Sequence, residues 1–125
     1  MGAKKILFID DEIDLLEIVE YFLEKRGIHA DYESNPVKAL ERIMNDHYSH
    51  IFCDVRMPKL TGIDLLEAIK KNGVPIEHFA FITAYKSLSK KEAMELGANN
   101  ILYKPYSPQD LLDYIRDLNI SAPSL

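Results

Sequence analysis

Segments typical of β-strands and segments typical of α-helices alternate along the whole of this 125-residue chain. Short apolar runs are separated by stretches in which apolar residues recur with the helical period of 3.6 residues. Because linkers of only a few residues join them, this alternation predicts a doubly wound α/β domain, with a parallel sheet covered on both faces by right-handed crossovers. The five predicted strands are KKILFI, IHADYE, HIFCD, HFAFIT and NILYK.

Five helices are predicted between and after these strands. Residues with N-capping side chains, two of them followed by proline, mark the predicted starts, and glycines mark two of the predicted ends. The apolar stripe of the first helix is Leu15, Leu16, Ile18, Val19, Phe22 and Leu23, and that of the second is Leu40, Ile43 and Met44. The predicted boundaries are Ser34-Asn35-Pro36 for the second helix, Thr61-Gly62 to Asn72-Gly73 for the third, Ser87 or Ser89 to Gly97 for the fourth, and Ser107-Pro108 for the fifth.

Length and charge limit the domain count and the binding partners. We predict one domain over residues 1–120, with residues 121–125 as a tail or the start of a linker. The net charge of −5 disfavours direct nucleic-acid binding, which needs a surplus of Lys and Arg. No apolar run is long enough to cross a membrane and the first residues lack a signal-peptide pattern, so we predict a cytoplasmic location. The single cysteine, Cys53, is predicted to be a core residue in a reducing compartment.

Polar residues follow four of the five predicted strands. The acidic run Asp10-Asp11-Glu12 follows the first strand, Asp54 the third and Thr83 the fourth, while Lys104 ends the fifth. Ligands of open α/β sheets bind at the carboxyl ends of the strands. With the strand order 2-1-3-4-5, the first and third strands are neighbours. We therefore expect the acids to converge, with Thr83 and Lys104 beside them.

The converging acids predict a metal site and an acceptor for a phosphoryl group. Two like charges 4 Å apart repel by about 1 kcal/mol in water and about 4 kcal/mol at an effective dielectric constant near 20, so a cation should be present. Mg²⁺ is suited to carboxylate and phosphate oxygens. A carboxylate can accept a phosphoryl group as an aspartyl phosphate, and we predict that Asp54 does so. Lys104 would then neutralise the transferred group and Thr83 would donate a hydrogen bond to it.

The motifs FIDDE, DVRMPKLTG, FITAY and YKPY together resemble the receiver domain of two-component response regulators, over essentially the whole chain. The resemblance implies a flavodoxin-like fold and phosphorylation of Asp54 by a histidine kinase or a phosphotransfer protein. It implies a signalling domain that assists its own phosphorylation and dephosphorylation, not an enzyme. It also implies that Asp11, Asp54 and the backbone carbonyl of Arg56 bind Mg²⁺, that Asp10 acts through metal-bound water, and that the Lys104–Pro105 bond is cis.

The resemblance also implies a switch between the phosphorylation site and a surface that contacts a downstream protein or effector domain. In this family the residue at Thr83 moves together with an aromatic residue at position 101, and here that position is Ile101. The aromatic side chains of Tyr103 and Tyr106 stand at other positions, and we expect them to serve in packing. A phosphorylation-dependent homodimer through the last helices is left open.

Positions 56 and 85 face the attacking water in this family and set how long the phosphate lasts. Arg56 and Tyr85 are bulky, and we hypothesise that they slow hydrolysis by crowding the water. Gly62 is expected to meet a requirement of the backbone where the acceptor loop joins the third helix. The four histidines have no metal-ligand spacing, and we interpret them as loop or strand-edge residues: His29, His47, His50 and His78.

Two rival functions fit parts of the pattern. A phosphohydrolase with an aspartyl-phosphate intermediate also combines acids, a threonine and a lysine on an α/β sheet. Such enzymes place the nucleophile after the first strand in an Asp-x-Asp pattern, whereas Asp54 follows the third predicted strand. The second rival is a receiver-like module that binds proteins without being phosphorylated, against which the intact set of acids, threonine and lysine argues. The sequence leaves open whether the domain acts alone or belongs to a longer regulator.

Overall fold

Strands and helices alternate in the protein, as the sequence predicts. The computed structural model describes residues 4–120, and the predicted tail at residues 121–125 lies outside them. The elements are β1 Ile6–Ile9, α1 Ile13–Glu24, β2 Asp31–Glu33, α2 Pro36–Asn45, β3 His50–Cys53, α3 Gly62–Lys71, β4 His78–Thr83, α4 Lys90–Glu95, β5 Asn100–Tyr103 and α5 Pro108–Asp117. The five strands form one parallel sheet in the order β2-β1-β3-β4-β5, which confirms the predicted order.

The sheet has a hydrophobic core on each face. Successive side chains of a strand point to opposite faces, so Leu7 and Ile9 of β1 join one core while Ile6 and Phe8 join the other. The helices α2, α3 and α4 cover the first core, and α1 and α5 cover the second. All four side chains of β1 are therefore buried, which explains why the strand is continuously apolar.

Two apolar residues that the sequence assigns to buried stripes are exposed instead. Ile18 of α1 is 56% exposed and Met44 of α2 is 38% exposed. Each residue along a helix is rotated by about 100°, so Ile18 lies well away from the line through Leu16 and Val19 that faces the sheet. Met44 is displaced from the buried Ile43 in the same way. The sequence therefore predicted buried faces of α1 and α2 that are wider than the observed ones.

The second strand is shorter than predicted. The sequence indicates IHADYE, but β2 has only the three residues Asp31–Glu33. It lies at the edge of the sheet and pairs with β1 alone, so it has backbone hydrogen bonds to one neighbouring strand, whereas an inner strand has them to two. Ile28, at the start of the predicted run, is buried in the core without belonging to the strand.

The helix starts agree with the predicted capping residues. Asn35 caps α2 by accepting hydrogen bonds from the amides of Val37 and Lys38. Thr61, Ser89 and Ser107 form capping boxes with the acids three residues later, which settles the choice between Ser87 and Ser89 at α4. These caps lie just beyond the ends of the strands, so helix N-termini and strand C-termini share one edge of the domain.

Two expectations from composition also concern the fold. Cys53 is fully buried at the end of β3, as a core residue should be. Within residues 4–120, every helix is too short or too polar to cross a membrane. The boundary at residue 120 stays a prediction, because the residues beyond it are not described.

Candidate functional site

The carboxylates that follow β1 and β3 lie side by side. Ile9 and Cys53 are paired residues of the two strands, so the acids that follow them, Asp10 and Asp54, lie next to each other where the strands end. The amide of Asp54 donates a hydrogen bond to the carbonyl of Ile9 (3.0 Å), which fixes this position. Carboxylate oxygens of Asp10, Asp11 and Asp54 lie within 4.8 Å of one another. The predicted convergence of the acids is confirmed.

Two of these three acids are buried. Asp10 is 6% exposed and Asp54 is 8% exposed, whereas Asp11 is open to solvent. Oδ1 of Asp10 accepts a hydrogen bond from the amide of Glu12 (2.9 Å), and Oδ2 accepts one from the ammonium of Lys104 (2.7 Å). Burial raises the pKa of Asp10 above its ordinary value, although these hydrogen bonds oppose the shift. Asp10 is therefore held firmly by the protein, while Asp54 presents its carboxylate beside it.

Lys104 supplies the positive charge at the centre of the acids. Its Nζ lies 2.7 Å from Asp10 Oδ2, 3.3 Å from Asp54 Oδ2 and 3.5 Å from Glu12 Oε1. Burial alone would lower the pKa of Lys104, but the hydrogen bond to Asp10 and the charges of Asp10 and Asp54 raise it above its ordinary value. The ammonium is thus charged at neutral pH. Its contact with Glu12 was not predicted from the sequence.

The donor set fits a magnesium ion. Lys104 is one positive charge among four carboxylates, those of Asp10, Asp11, Glu12 and Asp54, so negative charge remains to be neutralised. The clustered ligand atoms are all oxygens, and one of the acids is open to solvent, which suits an ion that keeps several of its waters. The role of the Arg56 carbonyl as a further ligand stays a prediction.

Thr83 ends β4 at the same edge of the sheet and is almost fully buried. Its hydroxyl oxygen accepts a hydrogen bond from the amide of Tyr85 (3.0 Å), so its observed contact is with its own loop. The structure thus gathers Asp10, Asp11, Asp54 and Lys104 into one contact group and places Thr83 on the neighbouring strand end. A hydrogen bond from Thr83 to a phosphoryl group stays a prediction.

Ile101, at the position where the family has an aromatic residue, is buried. It is 6% exposed, pairs with Phe81 across the β4–β5 ladder and packs in the core covered by α2, α3 and α4. An aliphatic side chain therefore fills this space. The two tyrosines nearby are partly buried and pack on opposite faces of the sheet, Tyr103 on the same side as Ile101 and Tyr106 on the other.

Arg56 and Tyr85 form a stacked pair. The guanidinium carbon of Arg56 lies 4.0 Å from the centre of the Tyr85 ring, within the range of a cation–π interaction. The family resemblance implied that both residues face the attacking water, which stays a prediction, and the sequence did not predict that they contact each other. The contact joins the loop after β3 to the loop after β4.

Gly62 is required because the backbone of Asp54 passes very close to it. A Cβ atom at position 62 would lie 2.3 Å from the carbonyl oxygen of Asp54 and 3.2 Å from the ring of Phe81. The amide of Gly62 also donates a hydrogen bond to the carbonyl of Val55 (2.8 Å), which closes the acceptor loop. The backbone requirement expected at Gly62 is a close approach.

The histidines stay outside this site. His50 and His78 begin β3 and β4 at the opposite edge of the sheet, where their rings stack with centroids 5.9 Å apart. Nε2 of His78 hydrogen-bonds the hydroxyl of Tyr114 on α5, and His29 contacts Glu24 of α1 (2.9 Å). At the site itself, the Lys104–Pro105 peptide bond is cis, as expected.

Comparison with known protein families gives one clear result. The family model of the response regulator receiver domain matches residues 6–116. The CpxR homolog of Haemophilus influenzae, a transcriptional regulatory protein, is 34% identical over 114 residues, covering 90% of this chain and 48% of that protein. The alkaline phosphatase synthesis transcriptional regulatory protein PhoP of Bacillus subtilis is 28% identical over 125 residues, covering 97% and 52%. The chain spans about half the length of the curated relatives it matches.

Solved structures have the same architecture along nearly their whole length. The receiver domain of the Francisella response regulator 1452 superposes with a TM-score of 0.83 at 27% sequence identity, covering 93% of this chain and 96% of that one. The chemotaxis protein CheY4 of Vibrio cholerae superposes with a TM-score of 0.81 at 26% identity, covering 93% and 98%.

Proposed function

Because the chain belongs to the response regulator receiver domains, which are signalling domains of two-component systems and not conventional enzymes, we propose that Asp54 accepts a phosphoryl group in an Mg²⁺-dependent reaction. The observation that carries the proposal is the contact group of Asp10, Asp11, Asp54 and Lys104 at one edge of the sheet. Each of these residue types alone is common in ordinary structural roles, but together they would supply an acceptor, a fixed cation and a metal site.

The transfer itself requires a nucleophile and groups that neutralise charge. A carboxylate oxygen of Asp54 attacks the phosphorus of a phosphohistidine on a histidine kinase or phosphotransfer protein. The phosphorus–nitrogen bond breaks, the histidine nitrogen keeps the electron pair, and an acyl phosphate forms. Lys104, whose Nζ is 3.3 Å from Asp54 Oδ2, would neutralise the oxygens of the arriving group. Thr83 would donate its hydroxyl hydrogen to one of them.

Asp10, Asp11, Asp54 and the carbonyl of Arg56 would hold the metal ion. When bound, Mg²⁺ supplies positive charge next to the phosphoryl oxygens and lowers the repulsion between donor and acceptor. Asp10 is already engaged by Lys104 and by the amide of Glu12, so its contribution is to act through water and to fix the lysine.

The output of the domain follows from a change at the phosphorylated edge. Thr83 and Ile101 would transmit that change to the surface made by α4, β5 and α5, where a downstream protein, an effector domain or a second copy of the domain binds. Relatives such as CpxR homolog and PhoP are transcriptional regulatory proteins about twice as long as this chain. A cytoplasmic regulator with nucleic-acid contacts outside this domain is consistent with its net charge of −5.

Mass spectrometry after incubation with acetyl phosphate and Mg²⁺ tests the proposal. We expect one phosphoryl group per chain, lost in Asp54→Asn and after removal of Mg²⁺ by a chelator. Asp46→Asn is the matched control, since Asp46 is exposed and its carboxylate forms an ion pair with Lys5 at 3.9 Å, away from the acids of the site. Absence of labelling would favour the protein-binding module. Repeated turnover of a generic phosphate ester would favour the phosphohydrolase.

The stacked pair of Arg56 and Tyr85 sets the lifetime of the phosphate in this proposal. The pair lies across the two loops that flank Asp54 and limits the approach of water. Phosphate loss should therefore be faster in the double variant Arg56→Asn, Tyr85→Ala. The double variant Lys25→Asn, Tyr21→Ala removes a cation–π pair at the end of α1, away from Asp54, and should leave the lifetime unchanged. An unchanged lifetime in the Arg56→Asn, Tyr85→Ala variant would contradict the proposal that this pair limits the approach of water.

A further inference from the structure

The loop between β4 and α4, residues 84–89, is fastened to β5 by side chains. It begins directly after Thr83, carries Tyr85, and ends at Ser89, the N-cap of α4. Movement of Thr83 toward a group on Asp54 would break the hydrogen bond from the Tyr85 amide and displace this loop. The contacts that hold the loop therefore oppose that movement.

Tyr103 makes the first of these contacts. It is the last residue of β5 and pairs with Thr83 in the β4–β5 ladder. Its hydroxyl donates a hydrogen bond to the backbone carbonyl of Leu88, two residues before α4 begins. Leu88 is buried and packs in the same core cluster as Tyr103. The phenol ring thus spans from the strand end to the far end of the loop.

Lys86 makes a second contact at the near end of the same loop. Its ammonium donates a hydrogen bond to the backbone carbonyl of Lys104 (3.0 Å) and lies 5.9 Å from the centre of the Tyr103 ring. The two groups that hold the loop, the Tyr103 hydroxyl and the Lys104 carbonyl, belong to consecutive residues. The side chain of the second of these residues is the ammonium that lies among the acids. The loop, Tyr103 and Lys104 therefore form one connected group.

Ile101 cannot provide such a hydrogen bond. It lies two residues before Tyr103 on the same face of β5, and its aliphatic side chain packs in the core without a polar atom to offer. The hydrogen-bonding group on this face of the strand end is therefore the hydroxyl of Tyr103.

We propose that Tyr103 is the positioning residue of this domain, whose hydroxyl holds the 84–89 loop and the start of α4 in the unphosphorylated arrangement. This inference rests on the proposed phosphorylation of Asp54 and adds how that event is coupled to α4. Phosphorylation draws Thr83 away from Tyr85, and the bond between Tyr103 and Leu88 is then lost as the loop follows. Tyr103 acts through the loop and does not contact the acids.

The variant Tyr103→Phe removes the hydroxyl and keeps the ring. A hydrogen bond of this kind shifts a two-state equilibrium by about two- to tenfold. In the absence of phosphodonor, the amides of Tyr85 and Ser89, both hydrogen-bonded in the loop, should exchange with deuterium faster by this factor. Labelling of Asp54 by acetyl phosphate should be faster by a similar factor, because the rearranged loop is more populated.

Tyr32→Phe is the matched control. The Tyr32 hydroxyl is buried and has no hydrogen-bond partner among residues 4–120, so the same chemical change removes no bond there. We expect wild-type exchange at Tyr85 and Ser89 and wild-type labelling in this variant.

The two readouts separate the inference from the proposed function. Unchanged exchange at the loop amides in Tyr103→Phe overturns the positioning role, whatever the labelling rate. Faster exchange with an unchanged labelling rate overturns the coupling and leaves Tyr103 a purely structural residue. If wild-type protein is not labelled at all, the proposed function fails, and the coupling fails with it, while the exchange result still decides whether Tyr103 holds the loop.

Discussion

Replacing Gly62 by alanine should displace Asp54, the proposed phospho-acceptor, without removing any functional group. A Cβ atom at this position would lie 2.3 Å from the carbonyl oxygen of Asp54, and real Cβ contacts essentially never fall below 3.0 Å. The two backbones must therefore separate by about 0.7 Å, the difference of these distances. The ring of Phe81, at 3.2 Å, limits movement in another direction.

The displacement has a cost in stability and a cost in reactivity. Overpacking of a well-packed region lowers the free energy of unfolding by about 1–3 kcal/mol. A displacement of the acceptor approaching 1 Å reduces a reaction that depends on geometry by up to about 100-fold. The amide of Asp54 donates a hydrogen bond to the carbonyl of Ile9, so moving the Asp54 backbone also strains its pairing with β1. We therefore expect Gly62→Ala to be destabilised and to be labelled by acetyl phosphate at least about tenfold more slowly.

Gly73→Ala separates the two costs. Gly73 follows α3 with φ of 64°, and an added Cβ there would meet nothing within 4 Å. The left-handed conformation costs an alanine about 1–2 kcal/mol, so this variant should lose similar stability. Its labelling rate should equal that of the wild type. Chemical denaturation and timed mass spectrometry give the two quantities. Gly62→Ala with normal stability and a normal labelling rate would refute the argument from close approach.

Three further predictions concern charge, pH and a helix cap. Lys104→Met leaves the buried Asp10 and Asp54 without the ammonium that they contact. In the presence of a chelator, the free energy of unfolding of this variant should be lower than that of the wild type by about 2–4 kcal/mol, and adding Mg²⁺ should restore part of the loss. Equal stability of the two proteins in denaturant titration would contradict the importance of these ion contacts. Burial lowers the pKa of His78, so just below its ordinary value near 6.5 the unfolded chain binds more protons than the folded chain. The contribution of His78 to the free energy of unfolding should thus be fully present above about pH 6.5 and be lost as the pH falls through the folded pKa. The stability of His78→Gln should depend less steeply on pH, and an equal dependence in calorimetry would contradict this. Asn35→Ala removes the cap of α2 and should lower the free energy of unfolding by about 1 kcal/mol, whereas no loss in urea titration would mean that the cap is dispensable.

The sequence predicted the parts of the fold that depend on local pattern. Strands such as ILFI at Ile6–Ile9 are short, continuously apolar and bounded by charged residues, and capping residues such as Asn35 and Thr61 determine where helices begin. The convergence of Asp10 and Asp54 was predicted on the condition that the strand order is 2-1-3-4-5, because parallel strands end at one edge. These features need no knowledge of how side chains pack.

Features that depend on contacts between distant segments were not predicted. Ile18 is apolar, as core residues are, but the elements that pack against α1 decide how much of the surface of this helix is covered. The stacking of Arg56 on Tyr85 and the hydrogen bond from Tyr103 to Leu88 depend on the paths of two loops. The sequence signal available for Tyr103 was its place at a strand end next to Lys104, and that place is also compatible with simple packing.

The hydrogen bond from Lys104 to Asp10 joins residues 94 positions apart, which directly follow β5 and β1. A chain that ends before β5 would carry the acids of β1 and β3 without the ammonium that keeps them together. During synthesis, these acids emerge from the ribosome long before their counter-charge. The group of residues that the proposed phosphorylation needs is therefore complete only when nearly the whole domain has been translated, and a prematurely terminated product would not be labelled even if its first strands had paired.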